Sequence, residues 1–123
     1  MISGQRGARA LWAVLGAGLG LTRSEAERRF VELVDRARLP RPETNVRIGS
    51  YEVDALWRAE RIVVEVDGYA SHSSRTAFEH DRRKDATLQA QGFRVVRVTW
   101  RQLVDEPVAV AARLASTLAA PRT

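Results

Sequence analysis

The chain has 123 residues and a formal net charge of +5, a length that suits one compact domain. It contains no cysteine, which excludes disulfides and thiolate metal sites and fits a reducing cytoplasm. Its most apolar stretch, residues 10–21, is too short to cross a bilayer, so we expect a cytoplasmic protein with no membrane partner. The positive charge is compatible with a nucleic-acid partner, but an arginine-rich composition is equally typical of a GC-rich genome.

Residues 1–21 are predicted to form a short helix, near residues 7–15, and a flexible joint that contains several glycines. We interpret this segment as an addition to the domain proper or as the remnant of a larger protein. The domain itself is expected over residues 22–120. Its first helix opens near Thr22, and Ser24 and Glu27 have the three-residue spacing of a capping box.

The rest of the chain alternates between strand and helix patterns. In order we predict two strands of a hairpin, a third strand, a helix, a fourth strand and a last helix: 45–48, 51–57, 61–67, 76–90, 93–100 and from Pro107 onward. With the two N-terminal helices, the order is α-α-β-β-β-α-β-α. Hairpins would pair the first three strands, and a helical crossover would bring in the fourth. This order predicts an α/β fold with a four-stranded mixed sheet flanked by helices.

Two acidic residues stand out on the third strand. Glu65 and Asp67 are two positions apart, so their side chains point to one face of the sheet. Burying two like charges is costly, and a divalent cation with a preference for hard oxygen ligands removes that cost. Asp54 lies among apolar residues on the preceding strand and would be level with Asp67. The pattern therefore predicts a three-carboxylate metal pocket, against the alternative that these acids face solvent and pair with arginines.

Four further residues are candidates for the same site. His72, in the loop after the third strand, could transfer a proton to or from the reacting oxygens, or could be an ordinary loop residue. Glu27 could contact metal-coordinated water, or could serve only as a helix cap. Arg82 and Arg83 could bind phosphates, or could lie on a solvated helix face.

These motifs together resemble a known family. The runs that carry the resemblance are Ser24-Glu25-Ala26-Glu27, Tyr51-Glu52-Val53-Asp54, Val64-Glu65-Val66-Asp67-Gly68, His72, Phe78-Glu79-His80-Asp81-Arg82-Arg83-Lys84-Asp85, Leu88 and residues 92–100. Residues 22–118 resemble the very-short-patch-repair-like endonuclease domains of the PD-(D/E)XK nuclease superfamily. The nearest branch is a group of unknown function that is common in actinobacteria.

The resemblance implies a restriction-endonuclease-like fold and Mg²⁺-dependent hydrolysis of DNA phosphodiester bonds, with Mn²⁺ as a substitute. Asp54 would match the aspartate that ligates the metal, and Glu65 the acidic position of the wider superfamily. Val66 would offer its backbone carbonyl to the metal. Asp67 and His72 would match two positions that are histidines in the mismatch-nicking enzymes.

The chain departs from the family pattern in two ways. Asp67 stands where the superfamily places a lysine, and the zinc-binding cysteines and intercalating aromatics of the mismatch enzymes are absent, so mismatch specificity is not expected. We predict a metal-dependent endonuclease that nicks DNA through one catalytic centre, whereas a homodimer would cut both strands. The alternatives are a non-catalytic DNA-binding module that keeps the fold, and a structural domain that binds neither metal nor DNA.

Overall fold

The computed structural model describes residues 22–68 and 74–121. Its elements are α1 (Arg23–Arg36), β1 (Glu43–Ile48), β2 (Tyr51–Trp57), β3 (Ile62–Asp67), α2 (Arg75–Ala90), β4 (Arg94–Thr99), α3 (Trp100–Asp105) and α4 (Pro107–Ala119). This order confirms the predicted α/β fold. The helix predicted near residues 7–15 lies outside the described residues. The segment after β4, where no helix was expected, forms the short helix α3, since Thr99 and Gln102 make a capping box.

The four strands form one mixed sheet in the order β1-β2-β3-β4. The pairs β1/β2 and β2/β3 are antiparallel, and β3/β4 is parallel. The hairpin between β1 and β2 closes with the pair Ile48↔Tyr51, and Gly49 takes a φ of 61° in the turn. Gly92, predicted to end the helix before β4, has a φ of 90°. Both glycines therefore adopt a backbone conformation that side chains disfavour.

Helices cover both faces of the sheet. A large cluster joins one face to α1, α3 and α4, and its buried members are Ala26, Phe30, Leu33, Val34, Ala55, Trp57, Ile62, Val64, Val96, Val98, Leu103, Val110 and Leu114. A smaller cluster joins the other face to α2, and its buried members are Val53, Leu56, Val63 and Leu88. No helix in the described ranges is long and apolar enough to span a membrane.

The start of α1 differs from the sequence prediction. Thr22 is the N-cap residue, and its hydroxyl accepts a hydrogen bond from the Glu25 backbone N–H at 3.1 Å. The capping box of Ser24 and Glu27 is therefore wrong, because the helix begins two residues earlier than that box requires. Glu27 therefore does not cap the helix. Its carboxylate instead accepts a hydrogen bond from the Asn45 side chain.

Candidate active site

The regular alternation of β2 breaks at Asp54. Val53 packs on the α2 side of the sheet, whereas Ala55 packs on the α1 side, although residues two apart on a regular strand share a face. The neighbouring strand is distorted at the same level, because Asn45 lies between two regular pairs and has a φ of 53°. Asp54 consequently lines a pocket on the α1 side of the sheet.

This pocket brings together three of the predicted site residues. It is lined by Arg23, Ala26, Glu27, Phe30, Thr44, Asp54 and Val66. The Asp54 side chain is 24% exposed. Its Oδ2 accepts a hydrogen bond from the Val66 backbone N–H at 2.7 Å, and its Oδ1 accepts one from Arg23 at 3.2 Å. Glu27, Asp54 and the backbone of Val66 therefore lie at one point, where α1 crosses the sheet.

Two residues of this pocket region were missed from the sequence. Asn45 donates a hydrogen bond to the Glu27 carboxylate and accepts one from Arg23 at 3.4 Å. Arg23 also forms the ion pair with Asp54. One sequence signal could have indicated Asn45, since it is the only asparagine of the chain and asparagine tolerates a positive φ better than most residues. Arg23 gives no such signal, because arginines are numerous in this sequence.

Asp54 is level with Glu65 and not, as predicted, with Asp67. The β2/β3 hairpin has Ala55↔Val64 as its last pair along β2 toward Tyr51, so Asp54 and Glu65 are the next residues along the two strands. The hydrogen bond from Val66 to Asp54 agrees with that level. The prediction was wrong because it did not fix where the turn between the strands closes, and antiparallel register follows from the turn.

Glu65 is a buried carboxylate, with a side chain that is 11% exposed. Burial, together with the negative charge of Asp54, raises the pKa of Glu65 to about 8, although Lys84 and Arg97 act in the opposite direction. The Lys84 Nζ lies 3.1 Å from Glu65 Oε2, but no described residue donates a hydrogen bond of good geometry to this buried oxygen. Burial also raises the pKa of Asp54, against the effect of the Val66 N–H.

Asp67 lies in a different environment on the α2 face. Its Oδ1 accepts a hydrogen bond from Arg97 at 2.8 Å, and its side chain is 8% exposed. Arg97 also donates to both oxygens of Asp85, at 2.8 and 3.1 Å, and lies 3.9 Å from Asp81. Asp67 is thus one of three acids around a single guanidinium, which ties the end of β3 to β4 and α2.

The predicted three-carboxylate cluster does not form among the described residues. Within residues 22–68 and 74–121, no group of three or more histidine, aspartate or glutamate side chains is arranged to hold a metal ion. His72 lies outside the described residues. The chemistry of the remaining acids nevertheless fits a hard divalent cation, because Asp54 and Glu65 are largely buried carboxylates on neighbouring strands, and Glu65 Oε2, although 3.1 Å from the Lys84 Nζ, receives no hydrogen bond of good geometry from the described residues.

Arg82 and Arg83, the predicted phosphate-binding residues, are both exposed on α2. The guanidinium carbon of Arg82 lies 4.8 Å from the ring centroid of Phe78. Phe78 is itself 42% exposed, which is unusual for a large apolar side chain in this structure. The two arginines are therefore accessible to a polyanion, and Phe78 restricts the orientation of Arg82.

A four-stranded mixed sheet with helices on both faces, and paired acids on its two central strands, defines a protein of the restriction-endonuclease-like class. The family model REase_MTES_1575 matches residues 29–118, and the chain belongs to this restriction endonuclease family. The solved catalytic domain of the homing endonuclease I-Bth0305I has a similar fold, with a TM-score of 0.62 and 23% sequence identity over 75% of this chain and 91% of that one. No curated protein matches the sequence.

Proposed function

We propose that the protein is a metal-dependent endonuclease that hydrolyses DNA phosphodiester bonds, with Mg²⁺ as the metal and Mn²⁺ as a substitute. The observation that carries the proposal is that Asp54 and the buried Glu65 directly follow the pair Ala55↔Val64 on the two central strands, close enough for the charge of Asp54 to raise the pKa of Glu65. Two buried carboxylates placed in this way repel each other, and a divalent cation would offset that repulsion more fully than the neighbouring Arg23 and Lys84 do. Membership in a restriction endonuclease family supports the same reaction class.

Asp54, Glu65 and the Val66 carbonyl are the proposed metal ligands. Asp67 is the remaining candidate ligand, and its hydrogen bond from Arg97 fixes its position at the end of β3. When bound, a divalent ion at such a site polarises a phosphate oxygen and lowers the pKa of water. The Val66 N–H holds Asp54 through one oxygen, so that the orientation of this carboxylate is set before any ligand arrives.

The other site residues act on water and on phosphate. Glu27 lines the same pocket as Asp54, where its carboxylate would accept a hydrogen bond from the attacking water and orient it. His72 is proposed to transfer a proton, either from that water or to the leaving oxygen. Arg82 and Arg83 would neutralise phosphates beside the cleavage point, which makes DNA binding depend on salt concentration.

The experiment compares cleavage of supercoiled plasmid by the wild type and by Asp54→Asn, with Mg²⁺ or Mn²⁺. We expect the variant to lose at least about 100-fold in rate, the order of loss when one electrostatic contributor to a reaction is removed. Asparagine can keep the hydrogen bond from Val66, so the fold is preserved. The matched control is Asp35→Asn, which alters an exposed aspartate paired with Arg41. Wild-type protein that leaves the plasmid intact with both metals would contradict the proposal.

The form of the product distinguishes two arrangements of the enzyme. One catalytic centre in a monomer produces the nicked circle as the first and main product. A homodimer with two centres produces linear DNA. Sedimentation of the protein under the cleavage conditions, beside the product distribution, tells these arrangements apart. We propose nicking, since the described acids form one site in the chain.

A non-catalytic DNA-binding module is the second candidate. The observation that favours it is that all three acids already have a cationic neighbour: Arg23 lies beside Asp54, Lys84 beside Glu65 and Arg97 beside Asp67. A module of this kind would bind DNA with the same affinity in EDTA and in Mn²⁺, and calorimetry would detect no Mn²⁺ binding. The nuclease predicts measurable Mn²⁺ binding that Asp54→Asn removes.

A further inference from the structure

Lys84 is the only lysine of the chain, and α2 delivers it to the edge of the candidate active site. Its side chain is 12% exposed, and its Nζ lies 3.1 Å from Glu65 Oε2. The Nζ also donates a hydrogen bond to the Glu52 backbone carbonyl at 2.8 Å, and it lies 5.9 Å from the ring centroid of Tyr51. A largely buried ammonium group therefore lies beside a proposed metal ligand.

The contact between Lys84 and Glu65 differs from the ion pairs of the neighbouring acid. Arg97 donates well-formed hydrogen bonds to Asp67 and Asp85, so these groups hold one another. Lys84 lies close to Glu65 Oε2, but that oxygen has no hydrogen bond of good geometry. The hydrogen bond to the Glu52 carbonyl fixes the ammonium instead. Glu65 can therefore change its partner while Lys84 stays where it is.

We infer that Lys84 is a resident cation that competes with the divalent ion for Glu65 and so sets the ion concentration at which the site is loaded. This inference rests on the proposed function. Ion binding makes the surroundings of Lys84 more positive whatever the protonation state of Glu65. If the acid starts ionised, loading replaces a negative group beside Lys84 with a positive ion–carboxylate pair, and if it starts neutral, loading still adds one positive charge.

Lys84 thus weakens ion binding, while in the ion-free protein it offsets part of the negative charge of the acidic site. Two positive charges this close together at the edge of a protein repel each other, and the surrounding groups reduce that repulsion. After this reduction, we expect removal of the ammonium charge to tighten ion binding by about tenfold. A lysine that only supported the fold would not change ion affinity in this direction.

The test is calorimetric titration of the full chain with Mn²⁺ alone, without DNA, for the wild type, Lys84→Gln, Lys84→Met and Lys84→Arg. The two neutral variants should bind Mn²⁺ about tenfold more tightly, and Lys84→Arg, which keeps the charge, should stay within about twofold of the wild type. Arg113→Gln removes an exposed positive charge on α4 and is the matched control, with unchanged affinity. Thermal unfolding of each variant in EDTA establishes that it is folded.

Each result has a defined meaning. Tighter binding by the neutral variants, or binding that appears only in them, supports the inference. Equal or weaker binding by the neutral variants overturns it while the proposed metal site stands. If one neutral variant does not fold, the other one decides, and a Lys84→Arg protein that binds Mn²⁺ well above the wild-type affinity would show that charge is not the cause. No Mn²⁺ binding by any variant refutes the proposed metal site and the inference together.

Discussion

Replacing Glu65 by glutamine should stabilise the protein in the absence of metal, and the gain should grow with pH. The pKa of Glu65 is raised from 4.5 to about 8, first by burial and then by the charge of Asp54. Between these two values the folded state holds a proton that the unfolded state has released, so the free energy of unfolding falls as pH rises. Glutamine resembles the neutral acid at every pH and does not incur this loss.

The size of the effect follows from the two pKa values. Each unit of pKa difference corresponds to about 1.4 kcal/mol. The free energy of unfolding of Glu65→Gln should therefore exceed that of the wild type by at most about 5 kcal/mol at pH 8 and by almost nothing at pH 4.5. We expect about 2–4 kcal/mol, because the folded protein relaxes around a buried charge. In a domain of this size, 1 kcal/mol shifts the Tm by about 4 °C. The variant should therefore melt about 10 °C above the wild type at pH 8.

The assay is thermal and urea unfolding of both proteins in EDTA at pH 5, 6.5 and 8. Glu79→Gln is the matched control, since Glu79 is exposed on α2 and its substitution should leave the stability difference near zero at every pH. A Glu65→Gln protein that is less stable than the wild type at pH 8 would refute the reasoning. It would mean that Glu65 is ionised in the folded state and that its pairing with Lys84 stabilises the fold.

Three further predictions test other parts of the structure. Arg97→Met leaves Asp67 without its guanidinium, and we expect the free energy of unfolding to fall by about 3 kcal/mol in urea titrations; an unchanged urea midpoint would show that the ion pairs are dispensable. Thr22→Ala should cost about 1 kcal/mol by thermal unfolding, whereas Ser24→Ala should cost almost nothing; the reverse order would restore the capping box that the structure rejects. Arg82→Gln should weaken DNA binding and lower the slope of log affinity against log salt by about 1 in fluorescence titrations, and an unchanged slope would remove Arg82 from the interface.

The fold was predictable because its signals are local. Alternation over residues 51–57, β-branched residues over 61–67, a glycine turn before the first of these strands and a crossover helix after the second are sufficient to predict the mixed sheet. The same-face placement of Glu65 and Asp67 follows from strand geometry alone. The capping residue was predicted wrongly because Thr22 and Ser24 both precede acidic residues at suitable spacing, and propensity does not separate two such starts.

The composition of the candidate site was less predictable, because it depends on contacts between distant segments. No local pattern places Lys84 of α2 beside Glu65 of β3, or Arg23 of α1 beside Asp54 of β2. Sequence reasoning could therefore select the acids of the site, but it could not select their partners.

The partners determine how the acids divide their tasks. Glu65 and Asp67 lie on one strand and on one face, yet the Arg97 guanidinium donates a well-formed hydrogen bond to Asp67, whereas the Lys84 ammonium lies beside Glu65 without a well-formed hydrogen bond to it. A planar guanidinium can satisfy two carboxylates at once, so Asp67 and Asp85 have little to gain from a new partner. Glu65 has the raised pKa and an oxygen without a well-formed hydrogen bond, and a divalent cation bound between Asp54 and Glu65 would relieve both. We therefore expect Glu65, the acid that costs the fold most, to be the better metal ligand of the two, and Asp67 mainly to hold the end of β3 in position.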